Sequence, residues 1–193
     1  MIKGYHIGDA IKNAMCLIYT KVFWKKARLV RLPVLARNRA NIHYGEGFTC
    51  GVGCRLNPGT SGRLSIGKNF IMGDQCQIEA MKEVTIGNNV LLASKVYIGD
   101  ASHGDYNGAD QSSPNEPPHE RIVTAKSIKI GDNVWIGNAA NILGGIEIGN
   151  GSIIGANSVV TSSIPDNCIA VGCPAKAIKK YDYNAKKWKL IKL

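Results

Sequence analysis

Among side chains able to move a proton near neutral pH, this 193-residue chain offers four histidines, His6, His43, His103 and His119. A neutral imidazole is the usual base for a hydroxyl that must attack a carbonyl near pH 7. His103 and His119 share one polar stretch, residues 101–127, ASHGDYNGADQSSPNEPPHERIVTAKS. Loops of that length inside compact domains are functional or disordered. His103 opens the stretch beside regular sequence that can fix its position, whereas His119 lies deep within it next to Pro117 and Pro118. His103 is therefore the candidate base, with Asp100 or Asp105 near enough in sequence to orient its ring.

The chain also has six cysteines, Cys16, Cys50, Cys54, Cys76, Cys168 and Cys173. Cys50 and Cys54 are spaced C-x3-C, but no second pair and no His-x3-5-His follows, so no metal is expected. The four histidines lack the close pair that a three-histidine zinc site on stacked turns of chain requires. The cysteines read as small buried thiols in a reducing compartment.

The regular sequence that would hold His103 has a period of six. Ile130, Ile136, Ile142, Ile148, Ile154 and Val160 are evenly spaced, and the fifth place of each unit holds Val134, Ala140, Ile146, Ser152 and Ser158. The same period runs through Ile42, Phe48 and Cys54, then Ile66, Met72 and Ile78, then Ile86, Leu92 and Ile98. Six fits neither the 3.6 of a helix nor the 2 of a long strand, but it fits a short strand and a turn repeated around a prism. First and fifth places then point inward, and the resets at 55–65 and 79–85 are corner insertions. Trp135, a bulky residue in an outward place, reads either as a subunit contact or as a ligand contact.

Charge is distributed unevenly. Residues 1–40 hold nine Lys/Arg and one acid, residues 174–193 hold seven and one, and the body holds eight basic against twelve acidic residues. An acidic body is no nucleic-acid surface. The first 40 residues lack the apolar core of a secretory signal and no run of 18 apolar residues occurs, which makes a cytoplasmic location the expectation. Three parts are expected: a basic amphipathic segment at 1–40, a repeat domain at 41–173 with its active-site loop at 101–127, and a basic tail at 174–193.

IGDNVWIGNAANILGGIEIGNGSIIGANSVVTSSIP and the later AVGCPAKAIKK resemble the hexapeptide-repeat acetyltransferases, the family of galactoside, maltose and bacterial polysaccharide O-acetyltransferases. FTCGVGCRLNPG (48–59), LLASKVYIGDASHG (91–104) and QSSP (111–114) are most similar to enzymes that acetylate O-antigen or capsule sugars. The resemblance covers residues 40–181. It implies an all-β fold, a left-handed parallel β-helix with short flanking N- and C-terminal helical segments, assembled as a homotrimer. It also implies acetyl-CoA as cosubstrate, no metal, and a sugar or lipid-linked glycan as acceptor. By the same resemblance His103 matches the catalytic histidine and Trp135 a tryptophan beside the reacting centre. Asn138, Ala156 and Thr161 match positions along the CoA arm, and Lys176 and Lys179 match basic residues near its phosphates. Many relatives read D-H-x-H where this chain has Asp100-Ala101-Ser102-His103, which leaves His103 alone. Family acceptor residues fall at Gly73 and Met81, so Asp74, Gln75 and Glu79 are the substituted candidates for binding the acceptor. An N- or O-acetyltransferase acting on a nucleotide sugar and a non-catalytic trimeric scaffold are the competing functions.

The stretch AIKNAMCLIYTKVFWKKARLVRL mixes Ile11, Met15, Leu17, Ile18, Val22, Phe23 and Trp24 with five Lys/Arg in residues 21–31. It reads as a helix lying on the inner face of the cytoplasmic membrane or as a cap across the open end of the repeat. The tail is expected to cap the other end with Trp188, Leu190 and Ile191 turned inward.

Overall fold

A residue in this chain pairs in register with the one three repeats later: Ile130 with Ile148, Ile136 with Ile154, Ile142 with Val160. The computed structural model describes residues 7–191, so His6 and the first residues of the N-terminal segment lie outside it. Successive strands fall on three different sheets, giving a parallel β-helix. Sheet A stacks Ala27–Val30, Phe48–Cys50, Ile71–Met72, Leu91–Leu92, Trp135–Ile136, Ile153–Ile154 and Cys168–Gly172. Sheet B stacks Val34–Ala36, Cys54–Pro58, Gln77–Ala80, Tyr97–Gly99, Asn141–Leu143 and Val159–Val160. Sheet C stacks Ile42–Tyr44, Arg63–Ile66, Glu83–Ile86, Ile128–Ile130 and Glu147–Ile148.

Every first-place residue of the repeat is buried, and so are Val134, Ala140, Ile146, Ser152 and Ser158 at the fifth place. The two serines are satisfied where the last coil departs from the repeat. Ser152 Oγ donates to the Pro165 carbonyl at 2.7 Å and Ser158 Oγ accepts from the Gly172 amide at 3.1 Å. Five of the cysteines are buried, while Cys173 is exposed, contrary to the sequence expectation. Hydrogen bonding to Cys54 and then burial push the Cys50 and Cys76 thiols upward.

Each edge of the prism has its own turn chemistry. Between sheets C and A, Asn69, Asn89, Asn133 and Asn167 take positive φ, a conformation Asn tolerates better than other side chains. The amides of Asn69, Asn89 and Asn133 form a ladder with two 3.1 Å bonds. Between B and C, the corner following Gln77–Ala80 is held by Asp100 of the next coil. Its buried carboxylate accepts from the amides of Met81, Lys82 and Glu83 at 2.7, 2.8 and 2.8 Å. These are charge-assisted bonds away from water, the strong kind.

Both ends differ from expectation. The helix α1 (Ile7–Phe23) is present, but the β-helix begins at Ala27 instead of residue 41, since Ala27–Val30 and Val34–Ala36 pair with the next coil. The interior is closed by Trp24, which stacks on Phe48 at 5.6 Å, leans on Tyr44 and lies under the Arg39 guanidinium. Its indole Nε1 is buried without a hydrogen-bond partner, and Arg39 is tied to the end of α1 through the Phe23 carbonyl. Among its described residues the tail forms no helix. Ala175–Asp182 turns back antiparallel on Cys168–Gly172, and Lys187–Leu190 adds a further antiparallel strand. Trp188 packs edge-on against Tyr181, and Ile191 touches the core. Leu190 is 75% exposed, so only part of the expected cap turns inward.

Asp100→Ala leaves three corner amides without acceptor and is expected to cost on the order of 3 kcal/mol. Urea denaturation at fixed protein concentration checks this, and a loss within error of zero would mean that water replaces the carboxylate.

Candidate active site

After Asp100 the chain leaves the prism at the B–C edge and returns at Lys126, whose amide donates to the Asp100 carbonyl at 2.8 Å. Between them the sequence forms more order than a loop. Ala101–His103 pairs antiparallel with Val123–Ala125, placing His103 opposite Val123. His103 is therefore the last residue of a strand that starts on the rigid coil. Its carbonyl accepts from Tyr106 Oη at 2.6 Å, and Arg121 Nη1 donates to that phenol at 2.9 Å. Gly104 then turns with φ of 101° in a buried place, where an added Cβ would meet the Tyr106 ring.

The acids proposed to orient the His103 ring are engaged elsewhere. Asp100 holds the corner amides, and Asp105 accepts from the Asn107 amide at 3.0 Å. His103 is exposed, and among the described residues its ring has no hydrogen-bond partner. His119 is exposed at the tip, 3.6 Å from Glu120.

A cavity of about 310 Å³ opens at the foot of this hairpin. Tyr97, Ser102, Gly104, Asp105, Thr124 and Lys126 contribute to its wall, which both sequence neighbours of His103 line and His103 itself does not. Tyr97 is the residue that sequence reasoning missed. It projects from sheet B, and a Cβ at residue 99 would collide with its ring, so Gly99 makes its room. Its phenol donates to Glu79 Oε2 at 3.1 Å, and Glu79 Oε1 accepts from Gln77 Nε2 at 2.7 Å. Burial, then the Glu79 charge and hydrogen bond, push the Tyr97 phenol up to about 12. The available signal was positional: Tyr97 lies one coil beyond Gln77 in an outward place.

The remaining candidates divide between the prism's edges. Asn138 and Ala156 sit exposed in successive turns of the A–B edge, where the Asn157 amide donates to the Asn138 carbonyl at 2.8 Å. Lys176 pairs with Val171 near the foot of that edge, and Lys179 lies half-buried further along the same strand. Thr161 is exposed on the B–C edge, across sheet B from Asn138. Asp74 and Gln75 belong to the A–B edge, with Asp74 Oδ1 accepting from the Val52 amide at 2.8 Å, so they are separated from Glu79. Trp135 is 48% exposed on sheet A, in a register row with Ile71, Leu91, Ile153 and Ile169. In a three-sided prism the B–C edge lies opposite sheet A. One protomer therefore does not bring Trp135 to His103.

Residues 127–162 match the family model described as bacterial transferase hexapeptide (six repeats). The chain is 41% identical over 189 residues to WbbJ of Escherichia coli (strain K12), named for an O-acetyl transferase role in lipopolysaccharide biosynthesis, covering 97% of this chain and 96% of that protein. A maltose O-acetyltransferase from Clostridium difficile 630 is similar at 29% identity, with a TM-score of 0.54 and 92% of each chain covered. The N-acyltransferase AntD from Bacillus cereus, in complex with dTDP and 3-hydroxybutyryl-CoA, superposes with a TM-score of 0.66. That likeness covers 82% of this chain and 84% of AntD at 20% identity, and so speaks for the fold alone. Stacked coils, period-six core and near full-length relation to WbbJ agree, and this chain belongs to the hexapeptide-repeat acetyltransferases.

Proposed function

We propose that the chain transfers an acetyl group from acetyl-CoA to a hydroxyl of a surface-polysaccharide sugar or its lipid-linked precursor, with His103 as the general base. The observation that carries this reading is the placement of His103, a histidine on a strand anchored to the prism, between two residues that line a cavity large enough for a sugar ring. The imidazole takes the hydroxyl proton as that oxygen bonds to the acetyl carbon. The carbon–sulfur bond then breaks, and the proton passes to the departing thiolate. The relation to WbbJ supports a polysaccharide acceptor.

Acetyl-CoA lies along the A–B edge in this reading, past Asn138 and Ala156, with Lys176 and Lys179 toward its phosphates and Thr161 on the far side of sheet B. Because His103 and Trp135 belong to opposite sides of one prism, the site requires a neighbouring copy. The outward apolar row on sheet A supports a homotrimer, since it offers the face for such contact. Tyr97, held by Glu79 through its phenol, forms part of the acceptor wall. Asp74 and Gln75 lie on the donor side of the prism, away from that wall.

His103→Ala is expected to lower kcat by about 10²–10⁴ with little change in stability. Mass spectrometry of glycan repeat units after incubation with acetyl-CoA reads the product. Retention of activity within about tenfold of wild type, or an acetyl mapped to nitrogen, would overturn the reading.

Folding favours the neutral Tyr97 phenol, so its contribution to stability is complete below pH 10 and disappears as pH rises through about 12. Alkaline absorbance titration should include one tyrosine ionising near pH 12, missing in Tyr97→Phe. If the tyrosine lost in the variant had instead ionised near the ordinary pH 10, Tyr97 would not meet Glu79 in solution.

A further inference from the structure

Helix α1 turns its polar side to the prism and its apolar side to solvent. Asp9, Asn13, Cys16 and Thr20 face inward, Cys16 and Thr20 being buried. Thr20 Oγ1 donates to the Cys16 carbonyl at 2.6 Å and accepts from the Val30 amide at 2.8 Å. Cys16 Sγ accepts from the Leu32 amide at 3.3 Å, so hydrogen bonds join the packing of Tyr19 on the core in holding the helix. Ile7, Ile11, Met15, Ile18 and Val22 follow at intervals of four, four, three and four, and are 81, 57, 58, 67 and 57% exposed. At 3.6 residues per turn these five fall within an arc of about 80°, centred opposite the buried side. The interior is closed by Trp24, so this stripe has no capping role.

A contiguous apolar face of this kind marks a binding surface. Its surroundings indicate what binds. Lys12 and Lys21 flank the stripe, one on each side, and Lys25, Lys26 and Arg28 follow immediately, with Lys12, Lys21, Lys25, Lys26 and Arg28 outside the buried core. The helix's one acid, Asp9, is on the prism side. We propose that α1 docks in the plane of an anionic lipid surface, with the stripe in the headgroup–acyl boundary and the cations at lipid phosphates. Against another copy of the helix, Lys12 and Lys21 would meet like charges, whereas anionic headgroups neutralise them. No helix among the described residues is long and apolar enough to cross a membrane, so α1 would lie on the surface. The inference rests on the preceding functional reading only for its purpose, delivery of the site to a lipid-linked acceptor.

The full chain is sedimented with vesicles of phosphatidylglycerol and phosphatidylcholine, or of phosphatidylcholine alone. Binding to the anionic vesicles at low salt, release as salt rises, and at least about tenfold weaker partition of the Ile11→Glu/Ile18→Glu variant are expected. The variant should keep wild-type circular dichroism, oligomeric state and acetyl transfer to a soluble acceptor. No binding at low salt, or equal binding by the double variant, overturns the proposal. A variant that changes oligomeric state would assign the stripe to another copy and equally overturn it. His103→Ala should sediment as wild type, which separates failure of docking from failure of the catalytic reading.

Discussion

In-register stacking of backbone on backbone is the constraint from which the rest follows. Each strand pairs with the strands one coil above and below, so every coil must have the same perimeter. Surplus residues cannot be absorbed within a sheet and must leave at a corner. They leave at one edge. The turn at Gly59–Gly62, the turn at Met81–Lys82 and the long hairpin after Asp100 all lie between sheets B and C. The A–B edge keeps short turns at Gly73–Gln75, Ala93–Lys95, Gly137–Ala139 and Gly155–Asn157. One edge is therefore irregular and carries His103, while the other keeps a smooth run of short turns.

The three faces differ as much as the edges. Sheet A presents Ile71, Leu91, Trp135, Ile153 and Ile169, whereas sheet C presents His43, Ser65, Thr85, Lys129 and Glu147. An apolar face invites burial and a polar one tolerates water. Inward residues are alike on all three sheets, so this asymmetry is independent of folding.

Much of this was legible in the residues, because a period of six ties each inward position to a number in the chain. The coils from Ile42 to Val160 follow directly, and so does the position of His103 at the head of the main interruption. The first coil was hidden. Counting back by six from Ile42 reaches Ala36, Val30 and Trp24, but the nine Lys/Arg of residues 1–40 drew the segment toward a separate basic arm. The tail misled for a similar reason, since lysines suit a helix C-terminus as well as an edge strand, and only pairing with Cys168–Gly172 decides between them. At the site, proximity in sequence suggested that Asp100 served His103. The carboxylate instead meets amides of the preceding coil, a contact that local spacing does not reveal.

The hairpin after Asp100 leaves and re-enters the prism at almost one point, where the Lys126 amide meets the Asp100 carbonyl. Closing a longer or shorter excursion between fixed ends changes the entropy little, about 0.6 kcal/mol for each doubling of length. The segment beyond Gly104 is thus a replaceable cassette. Exchanging it would leave the stacking of the coils untouched, so the same prism can carry a different excursion at this corner.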